Sequence, residues 1–107
     1  MQSSSMPPLD NEGYLVDLNT WDQDVACLLA SNEGIALTDA HWQIIKILRA
    51  FYEETQTSPA MRALVTLIKK RLGTDCGSSV YLMQLFGGSP AKSAAKIAGL
   101  PRPTNCL

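Results

Sequence analysis

Apolar side chains recur along most of the chain at every third or fourth position, the spacing that places them on one face of an α-helix. The widest of these stripes consists of Trp42, Ile44, Ile45, Ile47, Leu48, Phe51 and Tyr52. A stripe of this width is typical of a helix that faces a core. Stretches rich in Gly, Ser and Pro separate the stripes and predict the breaks between helices. The pattern predicts a mainly α protein, a compact bundle of about five helices.

Polar residues before each stripe predict where the helices begin, because their side chains can accept the free amide groups of a first turn. A proline directly after such a residue fits the first helical position. The predicted N-terminal caps are, in chain order, Thr20 with Gln23 as a capping box, Thr38 or Asp39, Ser58 before Pro59, Ser78 or Ser79, and Ser89 before Pro90.

Both ends of the chain lack the helical spacing. Residues 1–9 are predicted to be a disordered leader without a secretory signal, and the helical domain is predicted to span residues 10–99. At its start, the alternation from Gly13 to Leu18 predicts one strand of a small N-terminal β-hairpin. Residues 100–107 contain two prolines, which predict a flexible, extended C-terminal arm. Such an arm could place Cys106 on the order of 20 Å from the last helix.

Length and hydropathy limit the architecture further. A chain of 107 residues supports one compact domain rather than two independent cores. Its apolar runs are far shorter than the roughly 18 residues that cross a bilayer. We therefore expect no membrane contact and a cytoplasmic location.

Charge is distributed unevenly along the chain. Residues 1–57 contain nine acidic and two basic side chains, a net charge of −7, whereas residues 58–107 have a net charge of +6. Two interpretations of the basic half stay open: contact with an anionic partner, either RNA or an acidic protein face, or simply a solvated helix face. The candidates for an RNA or partner contact are Arg62, Lys69, Lys70 and Arg71.

The three cysteines and the single histidine bound the possible chemistry. No CxxC pair and no clustered Cys or His spacing occurs, so we predict no metal site and no cofactor. Cys27 lies in an apolar helical run and is predicted to pack in the core, and Cys76 lies in a loop without a close basic neighbour. His41 stands alone near a helix start and is predicted to be structural rather than a catalytic base.

Cys106 differs from the other two cysteines because it is the penultimate residue of a polar, proline-stiffened arm. A core cannot explain a thiol in that position. From the residues alone, two interpretations stay open: an incidental tail cysteine, or a thiol that carries a chemical group from one protein to another.

The end of the chain, from Ser89 to Leu107, reads SPAKSAAKIAGLPRPTNCL. It closely resembles the C-terminus of the TusE/DsrC family of sulfur carriers. Further segments resemble the same family: DNEGYL from Asp10, NEGI from Asn32 together with His41-Trp42, and TSPAMR from Thr57. The resemblance covers about residues 10–107. It implies a mainly helical fold with a small N-terminal β-hairpin and a flexible arm, which agrees with the pattern described above.

The resemblance also implies a chemistry for the arm. It identifies Cys106 as the residue that holds a transferable sulfur as a persulfide. The DsrC branch has a second cysteine eleven residues before the last one, a position occupied here by Ala95. An arm disulfide to position 95 is therefore impossible, and the departure points to the TusE branch.

Members of the TusE branch accept persulfide sulfur from a TusBCD-type donor complex. They pass it toward an MnmA-type enzyme that thiolates the wobble uridine of tRNA. For this chain the resemblance implies a sulfurtransferase of the persulfide-relay type that meets tRNA through that enzyme. Arg102, Lys96 and Lys92 are the candidates for guiding the arm to its partners.

Other functions stay open at this point. A DsrC-like protein can serve another sulfur pathway, and a purely structural subunit of a relay complex would not need Cys106. A third alternative is a DNA-binding regulator, because a helix ending near Thr55, a turn at Gln56-Thr57 and a basic helix from Pro59 are similar to a helix-turn-helix.

Overall fold

The structure is a computed structural model that describes residues 6–103. This range contains one 3₁₀ turn and five α-helices, so the prediction of a mainly helical bundle is confirmed. The elements are the 3₁₀ turn Leu18–Thr20 and the helices α1 (Gln23–Asn32), α2 (Asp39–Thr55), α3 (Met61–Leu72), α4 (Ser79–Phe86) and α5 (Pro90–Ile97). No helix in this range is long and apolar enough to cross a membrane.

Helix α5 lies at the centre of the bundle and contacts each of the other four helices. It can do so because its buried face is built largely from alanines, whose small side chains let neighbouring helices approach closely. The core around it is aliphatic. Its largest fully buried side chains are Leu29, Ile44, Ile45, Leu48, Leu64, Ile68, Leu82, Ile97 and Leu100.

The predicted N-terminal β-hairpin is wrong, because residues 6–103 contain no strand. Pairing there is limited to one antiparallel bridge between Leu9 and Leu15. A longer ladder cannot form because Pro7 and Pro8 have no amide hydrogen to donate. Met6 and Leu9, from the predicted leader, pack against the core instead.

The first helix begins later than its predicted capping box. Asp22 is the N-cap of α1, and its carboxylate accepts the amide of Val25 at 2.9 Å. Thr20 ends the 3₁₀ turn, where its hydroxyl donates to the carbonyl of Asp17 at 2.6 Å. The predicted caps Thr38 and Ser78, and the start of α5 at Pro90, are confirmed.

The predicted N-cap of the third helix is also wrong. Helix α3 begins at Met61, and its N-cap is Ala60, which has no side chain that can accept an amide. Ser58 is buried, and its hydroxyl donates to the carbonyl of Pro101 at 2.7 Å instead. A tertiary hydrogen bond has therefore replaced the local one that the sequence suggested.

Candidate functional site

The predicted carrier residue, Cys106, lies outside the described residues, but chain geometry limits where its sulfur can act. Cys106 is the third residue after Pro103, and an extended chain spans at most about 3.6 Å per residue. The Cα of Cys106 must therefore lie within roughly 11 Å of the Cα of Pro103. The candidate site is the surface around residues 98–103, which we call the arm root.

The arm root begins with a Schellman motif that ends α5. The amide of Gly99 donates to the carbonyl of Lys96 at 3.1 Å, and the amide of Leu100 donates to that of Ala95 at 2.9 Å. Gly99 has a φ of +73°, in the left-handed region that this motif requires. Leu100 and Ala95 are both buried, which completes the apolar contact usual in the motif. The direction in which the chain leaves α5 is thereby fixed.

Two side chains from outside α5 donate hydrogen bonds to backbone carbonyls at its C-terminal end. The indole Nε1 of Trp21 donates to the carbonyl of Ile97 at 2.9 Å, and Nη1 of Arg49 donates to that of Ala98 at 2.6 Å. The guanidinium carbon of Arg49 lies 3.8 Å from the centroid of the Trp21 ring, a cation–π contact. Burial lowers the pKa of Arg49 and nearby Glu53 opposes this effect, but a guanidinium remains charged in proteins. This charge suits the negative end of the α5 dipole.

The second half of the arm root is held from two further directions. Besides the bond from Ser58 to Pro101, Arg102 forms an ion pair with Glu12 in the N-terminal segment. The side chains of that pair are 54% and 53% exposed, so it is weakly stabilising and open to exchange with a partner. Pro103 is buried. Residues 100–103, the first half of the predicted arm, are therefore attached to the helical domain.

The two lysines predicted to guide the arm lie on α5 and differ in their surroundings. Lys96 forms an ion pair with Glu33 at 3.2 Å, and its Nζ lies 5.2 Å from the centroid of the Tyr14 ring. Lys92 is exposed, and its backbone carbonyl accepts the Tyr14 hydroxyl at 3.5 Å; within residues 6–103 its side chain forms no ion pair. Lys92 can meet a partner directly and Arg102 can do so by exchanging its exposed pair with Glu12, whereas the ion pair of Lys96 is less exposed.

Two open clefts flank the arm root, with volumes of about 490 Å³ and 530 Å³. Leu100 and Arg49 line the first, and Pro101 and Arg102 line the second. Val16, whose side chain is 65% exposed, lies between them and lines both. The sequence offered no signal for this residue, because its apolar side chain fitted the predicted strand.

The other two cysteines do not belong to the arm root. The predicted core packing of Cys27 is wrong: α1 buries Val25, Ala26, Leu29 and Ala30, which leaves Cys27 on the solvent side. Cys76 is partly buried beside Tyr81, where burial and the hydrogen bond to the Cys76 thiol raise the pKa of the tyrosine hydroxyl. Within residues 6–103, no three side chains of the His, Cys, Asp and Glu types are grouped so as to hold a metal ion.

His41 is structural, as predicted. Its Nε2 donates to the carbonyl of Leu85 at 2.7 Å, which requires the hydrogen on Nε2 and leaves Nδ1 as an acceptor. Nδ1 accepts the backbone amide of Thr38 at 3.0 Å. With both ring nitrogens occupied, His41 joins the start of α2 to the end of α4 and has no free atom for catalysis.

The basic side chains predicted for RNA or partner contact all lie on α3 and are all exposed. Arg62 lies in the first turn, and Lys69, Lys70 and Arg71 lie in the last. They are therefore not part of the arm root, although α3 begins only a few residues after Ser58.

Comparison with known proteins relates the whole chain to one family. Residues 3–107 match the family model described as DsrC like protein. The protein named Sulfurtransferase TusE homolog from Haemophilus influenzae is 50% identical over 98 residues, which cover 92% of this chain and 90% of the relative. Sulfurtransferase TusE from Escherichia coli K12 is 46% identical over the same shares of the two chains.

Solved structures agree with this relationship. The NMR structure of DsrC from Allochromatium vinosum has a TM-score of 0.84 and 47% identity, covering 92% of this chain and 88% of that one. The crystal structure of the oxidized γ-subunit of the dissimilatory sulfite reductase (DsrC) from Archaeoglobus fulgidus has a TM-score of 0.82 and 40% identity, covering 94% and 92%. The likeness extends over nearly the whole chain rather than over one segment.

Proposed function

The chain belongs to the family of DsrC-like proteins, and from this premise we propose that it is a sulfurtransferase of the TusE type, a carrier in a sulfur relay. The family membership expected from the C-terminal sequence is confirmed. Sulfurtransferase activity follows from the curated TusE relatives, which are 46% to 50% identical over 92% of the chain.

Cys106 is the proposed carrier of the sulfur. The observation that supports this choice most directly is the attachment of residues 98–103, which fixes the origin of the segment that contains Cys106. The other thiols suit the role less well, because Cys27 lies within α1 and Cys76 is engaged with Tyr81. A carrier thiol has to enter the active site of a donor and then that of an acceptor, which a thiol held on the body of the domain cannot do.

The chemistry consists of two persulfide exchanges. The thiolate of Cys106 attacks the outer sulfur of a donor cysteine persulfide, the sulfur–sulfur bond of the donor breaks, and the donor leaves as a thiolate. The product is a persulfide on Cys106. A cysteine thiolate of the acceptor then attacks that outer sulfur, and Cys106 leaves as a thiolate. No external oxidant or reductant is consumed, because each exchange breaks one sulfur–sulfur bond and forms another.

The arm root determines where the partners dock. Since the Cα of Cys106 stays within roughly 11 Å of that of Pro103, a donor and an acceptor must approach the same surface in turn. The two clefts and Val16 make up that surface. We propose that Arg102 and Lys92 guide the partners there and that Lys96 acts indirectly, through its contacts with Glu33 and Tyr14.

The proposed donor is a TusBCD-type complex and the proposed acceptor an MnmA-type enzyme, which uses the sulfur for 2-thiouridine at the wobble position of tRNA. This pathway is suggested by the TusE names of the relatives. On the same ground we propose that the chain acts in the cytoplasm, where tRNA is modified.

The carrier role is tested by intact-mass spectrometry after incubation with a cysteine desulfurase, cysteine and the donor complex. We expect a reductant-sensitive gain of about 32 Da, one sulfur atom, on the wild type and none on Cys106→Ser. Cys27→Ser and Cys76→Ser are matched controls that should gain sulfur normally. Equal gain by Cys106→Ser would show that another residue carries the sulfur.

A further inference from the structure

The solvent side of α3 presents basic side chains that the sulfur chemistry does not use. At 3.6 residues per turn, Arg62 and Lys69 lie about 20° apart around the helix axis and about 10 Å apart along it, and Lys70 lies about 80° around the axis from Arg62. We call Arg62, Lys69 and Lys70 the basic face of α3. All three are exposed, no acidic residue occurs in α3, and within residues 6–103 none of the three forms an ion pair.

Helix stability does not account for this face. Lys69 and Lys70 lie in the last turn, where cations favour the helix dipole. Arg62, in contrast, lies in the first turn, where a cation opposes the dipole. No acidic side chain in that turn compensates it, and the N-cap Ala60 contributes no side-chain hydrogen bond. A positive charge is therefore held at the end of α3 where it is least favourable to folding.

This unfavourable end of the helix lies near the arm root. Ser58, three residues before α3, is bonded to Pro101, and Arg62 is the second residue of the helix. The basic face therefore starts beside the surface that the Cys106 sulfur can reach and extends about 10 Å away from it. A macromolecule that receives the arm also meets these cations.

The residues around the cations indicate the chemistry of the partner. Val65 and Thr66 lie between Arg62 and Lys69; Val65 packs against the core and Thr66 is small and polar, so neither offers the exposed large apolar anchor that is usual at the centre of a protein interface. The exposed large hydrophobic residues Val16, Val80 and Met83 all lie outside α3. Phosphate contacts, in contrast, need cations and little apolar surface.

We propose that the basic face of α3 binds the phosphate backbone of the RNA held by the sulfur acceptor. The carrier would thus prefer an acceptor loaded with RNA over an empty one. The inference rests on the proposed function, because it assumes an acceptor whose substrate is RNA. It adds a direct contact between the carrier and that RNA.

The test measures binding of the full chain to a fluorescent, unmodified tRNA transcript with a wobble uridine, with and without the acceptor enzyme. We expect Arg62→Gln/Lys69→Gln/Lys70→Gln to weaken binding to the RNA-loaded acceptor about tenfold or more. The slope of log affinity against log salt should fall by about two to three. Lys46→Gln, which removes one exposed charge from α2, is the control and should change the affinity by less than about twofold. Arg62→Lys keeps the positive charge and should retain most of the affinity for the RNA-loaded acceptor.

Sulfur loading of Cys106, measured by intact mass, separates this inference from the proposed function. If the triple variant loads normally but also binds the RNA-loaded acceptor normally, the inference is wrong and the carrier function stands. If the triple variant loses loading from the donor and retains RNA binding, the basic face docks an acidic protein instead. If the wild type binds duplex DNA more tightly than the RNA-loaded acceptor, the inference is overturned in favour of DNA binding. Absence of loading on the wild type would refute the carrier function, whatever the RNA result.

Discussion

The indole of Trp21 lies directly against the backbone of Gly99, so closely that a Cβ on Gly99 would come within 2.3 Å of the Cδ1 atom of Trp21. The same indole donates to the carbonyl of Ile97. A residue just before α1 therefore determines how the chain leaves α5. Because the arm root starts at this point, the contact joins the fold of the domain to the origin of the segment that contains the proposed carrier, Cys106.

Gly99→Ala should destabilise the protein by about 2 kcal/mol or more. The substitution adds the strain of a positive φ and a clash with Trp21, which cannot move without losing its contact with Arg49. The measurement is urea denaturation. Gly88→Ala is the control, because Gly88 has no positive φ and a Cβ there would meet no atom within 4 Å. Equal midpoints for the two variants would mean that the packing of Trp21 against Gly99 is looser than described.

Ser58→Ala should loosen the arm root. The substitution removes the bond to the carbonyl of Pro101 in a buried position and should cost about 1 kcal/mol of unfolding free energy. It should also speed hydrogen exchange of the Leu100 amide, which donates to the carbonyl of Ala95 at 2.9 Å, because the attachment at the next residue, Pro101, is lost. Ser31→Ala, an exposed serine of α1, is the control and should change neither value.

The functional result of Ser58→Ala is a separate check on the carrier mechanism. If the root fixes the origin of the arm, transfer of sulfur from loaded Cys106 to the acceptor should slow several-fold while the final extent of loading stays the same. An unchanged transfer rate, with exchange at Leu100 accelerated, would show that attachment of the arm root is irrelevant to delivery.

His41→Leu should be more destabilising than His41→Gln. Leucine leaves the carbonyl of Leu85 and the amide of Thr38 without partners, at a cost of about 2 to 3 kcal/mol. Glutamine at the third helical position can still accept the Thr38 amide as part of a capping box and should cost about half as much. Urea denaturation measures the free energy of unfolding of both variants. Loss of sulfur loading by a folded His41 variant would contradict the structural role.

The sequence was most informative where local spacing decides the outcome. Helical periodicity predicted all five helices of residues 6–103, whereas Cys106, chosen for its penultimate position, stays a prediction. Prediction from the sequence failed where a tertiary hydrogen-bond partner competes with a local one. Ser58 fits an N-cap, but its hydroxyl donates to the carbonyl of Pro101 instead. The exposure of Val16 depends on how residues 9–15 fold back, which no local pattern encodes.

Acid should loosen the N-terminal loop that carries Glu12, the ion-pair partner of Arg102. The carboxylate of Asp10 accepts the amides of Tyr14 and Glu12 at 3.0 Å and 2.8 Å, and these bonds lower the pKa of Asp10 below its usual range. A carboxylate whose pKa is lower in the folded than in the unfolded state stabilises the fold above the unfolded pKa. That contribution is lost as the pH falls through the lower, folded pKa.

Hydrogen exchange of the Glu12 and Tyr14 amides, followed by NMR at decreasing pH, measures this loss. We expect their protection to fall in acid in the wild type. In Asp10→Asn we expect it to be low at every pH, because an amide oxygen is a weaker acceptor than a carboxylate. Asp75→Asn, which changes an exposed loop carboxylate elsewhere, should behave as the wild type does. Protection that persists in Asp10→Asn would show that the backbone bond from Asp10 to Tyr14 holds the loop without the carboxylate.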